Sequence, residues 1–438
     1  MQLKPKQRRQ IGISLAAAAC SLLGTMPDRV QAAEINDKDW LVDSAVLYYG
    51  EDQGRVKDTS VRANVTRNIS EDRTINVGLT VDTLTGASPS GAVKTDGVQT
   101  FTRPSGNGSY QISAGKTPLD DTFHDTRFAA TGSYTTAVGQ SSRLQAGLDA
   151  SSEHDYAHAG LNARWETDLN QKNTTWFAGI AAGNDSIKPV GGMPLAFTAM
   201  RLAGATPNRA TGSDSKTVVD VLLGVSQILT RRALLDVVLS FSNSSGYMTD
   251  PYKVLSVVDA TTGRPVSSPT DSGFSYYRYE KRPDTRTKES LFAEYRYAMD
   301  RDSWAVNYRY MRDDWGINSH TLEARYHWNL ARNSSLEPQI RYYSQSQADF
   351  YRTVLVNGQA LPEFASADYR LARMNTWTLG AKYSWQTRNG IEYSLRAAFY
   401  KQKADASAGS NIGILGTYNE LAPSLSSVLA QFGVKFGL

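Results

Sequence analysis

From about residue 40 to the end, one pattern recurs along the chain. Apolar and polar residues alternate over stretches of roughly ten, separated by turn-forming residues. Period-two alternation puts one class of side chain on each face of a β-strand. The last stretch is the clearest: Val428, Ala430, Phe432, Val434, Phe436 and Leu438 alternate with Ser427, Leu429, Gln431, Gly433, Lys435 and Gly437. Trp304, Val306, Tyr308 and Tyr310 repeat the pattern, as do Leu322, Ala324, Tyr326 and Trp328, and Trp377, Leu379, Ala381, Tyr383 and Trp385. The aromatic residues gather near strand ends.

This pattern predicts sixteen strands, near 40–50, 59–68, 73–84, 126–138, 141–152, 155–168, 174–183, 215–230, 232–243, 287–299, 302–313, 318–331, 334–347, 374–387, 389–402 and 426–438, with room for a hairpin in 90–120. The connections sort by parity. Seven are tight: 68–72, 139–140, 170–173, 231, 300–301, 332–333 and 388. The long ones, near 85–125, 184–214, 244–286, 348–373 and 403–425, all fall on the opposite side, together with two short ones near 153–154 and 314–317, so the outer connections vary in length and the inner ones are never long. Short turns on one side and long loops on the other are the habit of bacterial transmembrane β-barrels, with the short turns in the periplasm. After residue 33 there is no apolar run near the length a spanning helix needs. A membrane protein without such a helix must close a barrel to satisfy its backbone. The expected fold class is therefore all-β: a transmembrane antiparallel β-barrel of about sixteen strands.

The first 33 residues read differently. Lys4, Lys6, Arg8 and Arg9 precede an apolar core from Ile11 to Leu23, and small residues follow around Ala32 and Ala33. That is the layout of a cleaved signal peptide. The expected division is 1–33 signal and 34–438 barrel. Removal of the leader takes the net charge from +4 to zero, because Lys4, Lys6, Arg8, Arg9 and Arg29 leave with Asp28. A neutral chain implies no nucleic-acid face. Cys20 is the only cysteine and lies in the leader, so disulfide and thiol chemistry are excluded from the mature part.

The polar face of the strands carries charges of both signs. Candidate lumen-lining residues are Arg127, Asp149, Arg164, Glu166, Glu294, Arg296, Arg309, Glu323, Arg325 and Arg396, with further inward charges such as Arg143, Asp220, Asp236 and Arg341. They suit a water-filled pore, and equally a mutually paired interior. Of the five histidines, His154 and His158 stand in SSEHDYAHAG beside Glu153 and Asp155. On a strand, positions four apart are about 13 Å from each other, too far to share one metal. They read as a hydrated rim cluster, and no metal, cofactor or catalytic set is expected.

Two loop segments look specified. VDTLTGASPSGA (81–92) contains Asp82, Thr85 and Gly86, and GYMTDPYKVLSVVDATTG (246–263) contains Asp250, Pro251 and Tyr252 and is followed by YYRYEKRPDTR. With the overall layout, these segments resemble the uncharacterised family catalogued as domain of unknown function 3570, of Gram-negative outer-membrane proteins. The resemblance covers nearly the whole mature chain. It implies an outer-membrane location and a redox-linked envelope partner, and it carries over no catalytic residues.

The expected function is a channel or transport-type pore in the cell outer membrane, with loops constricting the lumen. The chain would contact outer-membrane lipid and meet the barrel-assembly machinery through its C-terminal strand. Rival readings are a scaffold for a redox partner, an adhesive barrel, or an outer-membrane hydrolase or protease whose His124, His154 or His158 meets Ser or Asp in space. The segment 244–286 is too apolar to stay solvated. It is expected to fold into or over the lumen, with Asp250, Arg282, Asp284 and Arg286 pairing with inward charges such as Glu294 and Arg309.

Overall fold

The computed structural model describes residues 40–70, 72–266, 274–405, 411–418 and 421–438. The expected leader, 1–33, lies outside them. In chain order the strands begin with β1 (Trp40–Glu51), β2 (Lys57–Ser70), β3 (Arg73–Pro89), β4 (Gln99–Thr102), β5 (Ser109–Ile112), β6 (Leu119–Val138), β7 (Ser142–Ser152) and β8 (Tyr156–Leu169). They continue with β9 (Thr174–Ile187), β10 (Met193–Pro194), β11 (Ala199–Arg201), β12 (Arg209–Ala210), β13 (Asp214–Thr230), β14 (Ala233–Gly246), β15 (Val254–Val258) and β16 (Phe274–Tyr279). The last third holds β17 (Thr285–Ala298), β18 (Ser303–Asp313), β19 (Asn318–Ala331), β20 (Ser334–Gln345), β21 (Val354–Val356), β22 (Arg373–Gln386), β23 (Glu392–Asp405) and β24 (Leu425–Gly437).

Sixteen of these, the ones at the expected positions, form a closed barrel in chain order, each antiparallel to the next. Closure is made by β1 against β24, in a register running from Leu41 opposite Gly437 to Glu51 opposite Ser427. No strand edge is left on the wall, as a span through hydrocarbon requires.

The wall is inside-out relative to a soluble protein. Leu161 is 68% exposed and Phe128 61% on its outer surface, whereas inward Asp236 and Glu294 are 6% and 5% exposed. The alternation has turned apolar side chains to the outside and charges to the lumen, which makes this a membrane-spanning barrel. Aromatic side chains stack near both ends of the belt. Tyr383, Trp385 and Tyr393 form a stacked row near the short turns, with centroids 5.4 and 5.5 Å apart. Tyr342 and Trp377 meet at 4.7 Å toward the long loops. Amphipathic rings at both levels suit two membrane interfaces.

At the long-loop end several strands run past the expected boundary. The ladder of β3 with β6 continues through Thr85 opposite His124 and Gly86 opposite Phe123 to Pro89 opposite Leu119. Asp82, Thr85 and Gly86, read above as part of a loop motif, are therefore wall residues, and the loop begins after Pro89. Gly86 permits the extension: its φ is 128°, and a Cβ there would come within 2.4 Å of the Arg55 carbonyl oxygen.

The long loops carry strands of their own. β4 pairs with β5 in the hairpin allowed for in 90–120. A four-stranded sheet in the order β11-β16-β15-β21 draws on three different loops. Its core is dry: Leu255, Val258 and Tyr277 are completely buried, and Phe101 is stacked on Tyr277 at 4.4 Å. This assembly, together with the loop segments packed on it, is the lid.

Candidate functional site: a capped lumen

Below the lid, the lumen holds a chamber of about 480 Å³. Its sides are inward residues of the wall, among them Asp220, Lys288, Arg309, Arg341 and Tyr343. Arg282, Asp368, Arg370 and Leu371 of the loops border the same space. The lid is fastened to the wall beside them: Gln345 Nε2 donates to the carbonyl oxygens of Arg370 at 2.9 Å and Ala372 at 2.8 Å.

The lid's border is an ion network. Arg282 Nη2 meets Asp368 Oδ2 at 2.9 Å and its Nε meets Glu280 Oε1 at 2.5 Å, with all three side chains essentially without solvent. Arg370 holds the same Asp368 and reaches Asp250 at 2.9 Å. Ser366 donates to Glu280, and the Asp250 backbone N–H donates to it at 2.8 Å. Burial alone would raise the Asp368 carboxyl, but the guanidiniums of Arg370 and Arg282 outweigh it and hold that group well below the usual carboxylate range. Burial raises Glu280. The expected pairings were different. Asp250 and Arg282 find partners inside the lid, and Arg286, on β17, pairs with Asp313 at 2.5 Å. None of them reaches Glu294 or Arg309. Those two are committed lower down and to the side: Glu294 binds Arg296 at 2.5 Å and Arg325 at 2.8 Å, and the Arg309 guanidinium lies 5.4 Å from the Phe292 ring. A buried charge pairs with what its own element brings near, and the lid brings its own counter-ions.

A second cavity, also about 480 Å³, lies toward the short turns. Arg143, Arg164, Glu166, Asp168, Asp236 and Arg296 border it. Arg164 and Glu166 pair at 2.8 Å, and Arg296 bridges Glu294 and Asp236, the latter at 3.0 Å. Between the two cavities stands an apolar cluster of Phe177, Leu222 and Val238, with Phe292 against it. Phe177 borders the lower cavity and Leu222 the upper one. Gly224 makes room for it, since a Cβ there would fall 2.3 Å from the Phe177 ring.

The remaining sequence candidates are placed as follows. Arg127 pairs with Asp82 at 2.5 Å. Glu323 meets Arg325 at 3.4 Å, and Arg396 donates to Gln339. Asp149 accepts from His158 at 2.6 Å, whose other ring nitrogen is 2.6 Å from Asp185. With both nitrogens engaged by carboxylates, His158 has none left to activate a hydroxyl. Pro251 offers its carbonyl to Arg209 at 2.7 Å, and Arg209 also binds the Val190 and Gly192 carbonyls at 3.1 and 3.0 Å, pinning two loops together. The Tyr252 hydroxyl donates to Asp155 at 2.8 Å and accepts from the Val190 N–H at 2.8 Å, joining lid to rim.

Sequence reasoning missed the buried partners Glu280, Asp368 and Arg370. It set aside the carboxylates beside His154, which converge with Asp125 at the rim. Burial pushes Glu153 up to about 8, helped by the Asp125 charge, and Asp155 up to about 6 despite the Tyr252 hydrogen bond. The acidic flank of SSEHDYAHAG was the available signal, but Asp125 is far away in sequence.

No curated protein matches the sequence. Among solved structures, the chain is similar to a variant of the ferric enterobactin receptor (PfeA) from Pseudomonas aeruginosa, at 10% identity and TM-score 0.41, over 84% of this chain and 54% of that one. It is similar to a bacterial polysaccharide outer membrane secretin at 10% identity and TM-score 0.44, over 91% and 98%. It is also similar to CdiB from Acinetobacter baumannii, at 8% identity and TM-score 0.44, over 90% and 60%. The chain spans about half the length of the enterobactin receptor it matches. A family model matches residues 13–436, nearly the entire sequence, and by that match the chain belongs to the family described as protein of unknown function (DUF3570).

Proposed function

We propose that the protein is an outer-membrane transport barrel whose outer mouth is closed by a folded lid. The observation that carries this reading is the shared chamber: wall residues such as Lys288 and Arg341 and lid residues Arg282 and Arg370 border one space of about 480 Å³. A chamber of that size suits a small solute, and its mostly apolar lining, with Leu222, Phe241, Met311 and Trp315 beside the charged groups, suits an amphipathic one. The long-loop end is the outer end, following the asymmetry of bacterial barrels. Export behind a leader over 1–33 and assembly through the terminal strand β24 complete the proposal.

The test is planar-bilayer conductance of the full barrel against a deletion of residues 247–284. That deletion removes β15, β16 and the Arg282 end of the ion network. The intact form is expected to conduct weakly, and the deleted form several-fold better, with faster antibiotic uptake by cells. If the deleted form still folds and its conductance and uptake are unchanged, the lid does not gate the lumen and the transport reading fails.

A further inference from the structure

Where the turn between β7 and β8 meets the lid, three carboxylates converge. Asp125 stands on the inward register of β6, and Glu153 and Asp155 stand on the turn. One carboxylate oxygen from each lies within 4.8 Å of the other two. Like charges this close repel strongly in a partly dry place, and the repulsion is relieved by a proton shared between them or by a cation.

The hydrogen bonds around the trio do not supply that charge. Arg127, whose charge reaches Glu153, is held by Asp82 at 2.5 Å. Asp155 receives the neutral Tyr252 hydroxyl. Asp125 Oδ1 receives the backbone N–H groups of Thr126 at 2.7 Å and His154 at 3.4 Å. Asp125 Oδ2 receives no N–H or hydroxyl among the described residues while Glu153 is ionised, although the residue is only 6% exposed; a protonated Glu153 carboxyl is the neighbour that bonds to Asp125. A carboxylate oxygen removed from water and left without a donor is strongly unfavourable.

We infer that Asp125, Glu153 and Asp155 bind a hard divalent cation, calcium before others, at the seam between the barrel rim and the lid. Calcium takes oxygen ligands at about 2.3–2.6 Å in irregular geometry, and two oxygens on one such ion stand at most about 5 Å apart. The three observed oxygens meet that limit. An all-carboxylate set does not favour zinc or nickel, which prefer nitrogen and sulfur. Magnesium keeps a strict octahedron and most of its water, which three side chains from two segments serve less well. Bound there, the cation offsets most of the trio's charge and stiffens the turn that Tyr252 grips, so it fastens the lid to the wall.

The test uses the full chain in detergent, stripped with a chelator and titrated with calcium by calorimetry. Terbium luminescence sensitised by tyrosine, and its displacement by calcium, gives a second readout. One saturable calcium site per chain is expected, in the range of about 10⁻⁴ M usual for extracellular sites. Asp125→Asn and Glu153→Gln should each weaken it at least tenfold, with unheated gel migration retained. If Asp125→Asn does not fold, Glu153→Gln decides, because that side chain is only half-buried and the change keeps its shape. The inference is overturned if the parent shows no saturable calcium uptake, if folded Glu153→Gln binds as tightly as the parent, or if zinc displaces terbium as well as calcium does. Binding is read without conductance, so a non-conducting barrel that binds calcium keeps this site and removes the transport reading instead.

Discussion

The wall and the lid follow opposite burial rules within one chain. On the wall, Leu161 and Leu148 are among the most exposed side chains, and carboxylates such as Asp236 and Glu294 are among the least. In the lid, Leu255 and Val258 are fully buried. The rule is the same in both places: apolar atoms leave water. What differs is the neighbour that takes them, lipid for the wall and other loops for the lid. Charges differ too. Wall ion pairs such as Arg164–Glu166 border a cavity of about 480 Å³ and keep some exposure, whereas Arg282, Glu280 and Asp368 at the lid's border are almost without solvent. A sealed pair is costly to break, because the partner left behind is still dry.

The largest effect should come from breaking that seal. Arg282→Ala takes from Glu280 its guanidinium partner and from Asp368 one of two, and should destabilise the lid by about 3–5 kcal/mol. The barrel should still migrate as a folded band when unheated. Lid opening is measurable by thiol labelling: Cys20 is the only natural cysteine, so Leu255→Cys in a form starting after residue 33 carries one buried reporter. Labelling no faster in Arg282→Ala than in the Leu255→Cys parent would mean that the network does not hold the lid.

Next comes the wall. Leu161→Arg puts a charge on the lipid face in mid-strand and should cost the barrel about 2–4 kcal/mol. Urea titration in lipid vesicles reads this, and the lid reporter should not change. If both regions weaken together, wall and lid form one cooperative unit and the contrast drawn here is too sharp.

The smallest effect is expected from mild acid. The Asp368 pKa is lowered, so its contribution is present above the ordinary carboxylate range and is lost only when pH falls through that lowered value. The Glu280 pKa is raised, so its penalty is present at neutral pH and eases as pH falls. Facing them are Asp250, Lys253, Arg282 and Arg370, and the two guanidiniums stay charged throughout. Between pH 7 and 5 the reporter should therefore label no faster. Faster labelling at pH 5 would show that a carboxylate titrating in that window, such as Asp155 at the Tyr252 contact, controls the lid instead.

Much of the wall was legible because its code is local. Alternation at Trp377, Leu379 and Ala381 needs only neighbouring residues to say which face meets lipid. Strand ends were harder. β3 runs on to Pro89 because β6 begins at Leu119 and keeps supplying partners, and neither segment signals this alone. The apolar content of 247–279 marked it as buried, but not which loops would cover it. The pairings expected for Asp250 and Arg282 failed for the same reason, since Asp368 and Arg370 arrive from a loop some ninety residues away in sequence.

By itself, then, the sequence determined a period-two wall, its sixteen crossings, the parity of its turns and the two signs of charge in its lumen. Each of these rests on side-chain spacing within one strand, and lipid on one side with water on the other reads that spacing directly. Only the tertiary structure decided that three loops share a sheet, that Arg282 meets Asp368 rather than Glu294, and that Asp125 joins Glu153 and Asp155. Those contacts depend on where barrel closure sets distant loop ends relative to one another. A dry charge pairs with whichever opposite charge that closure brings within reach.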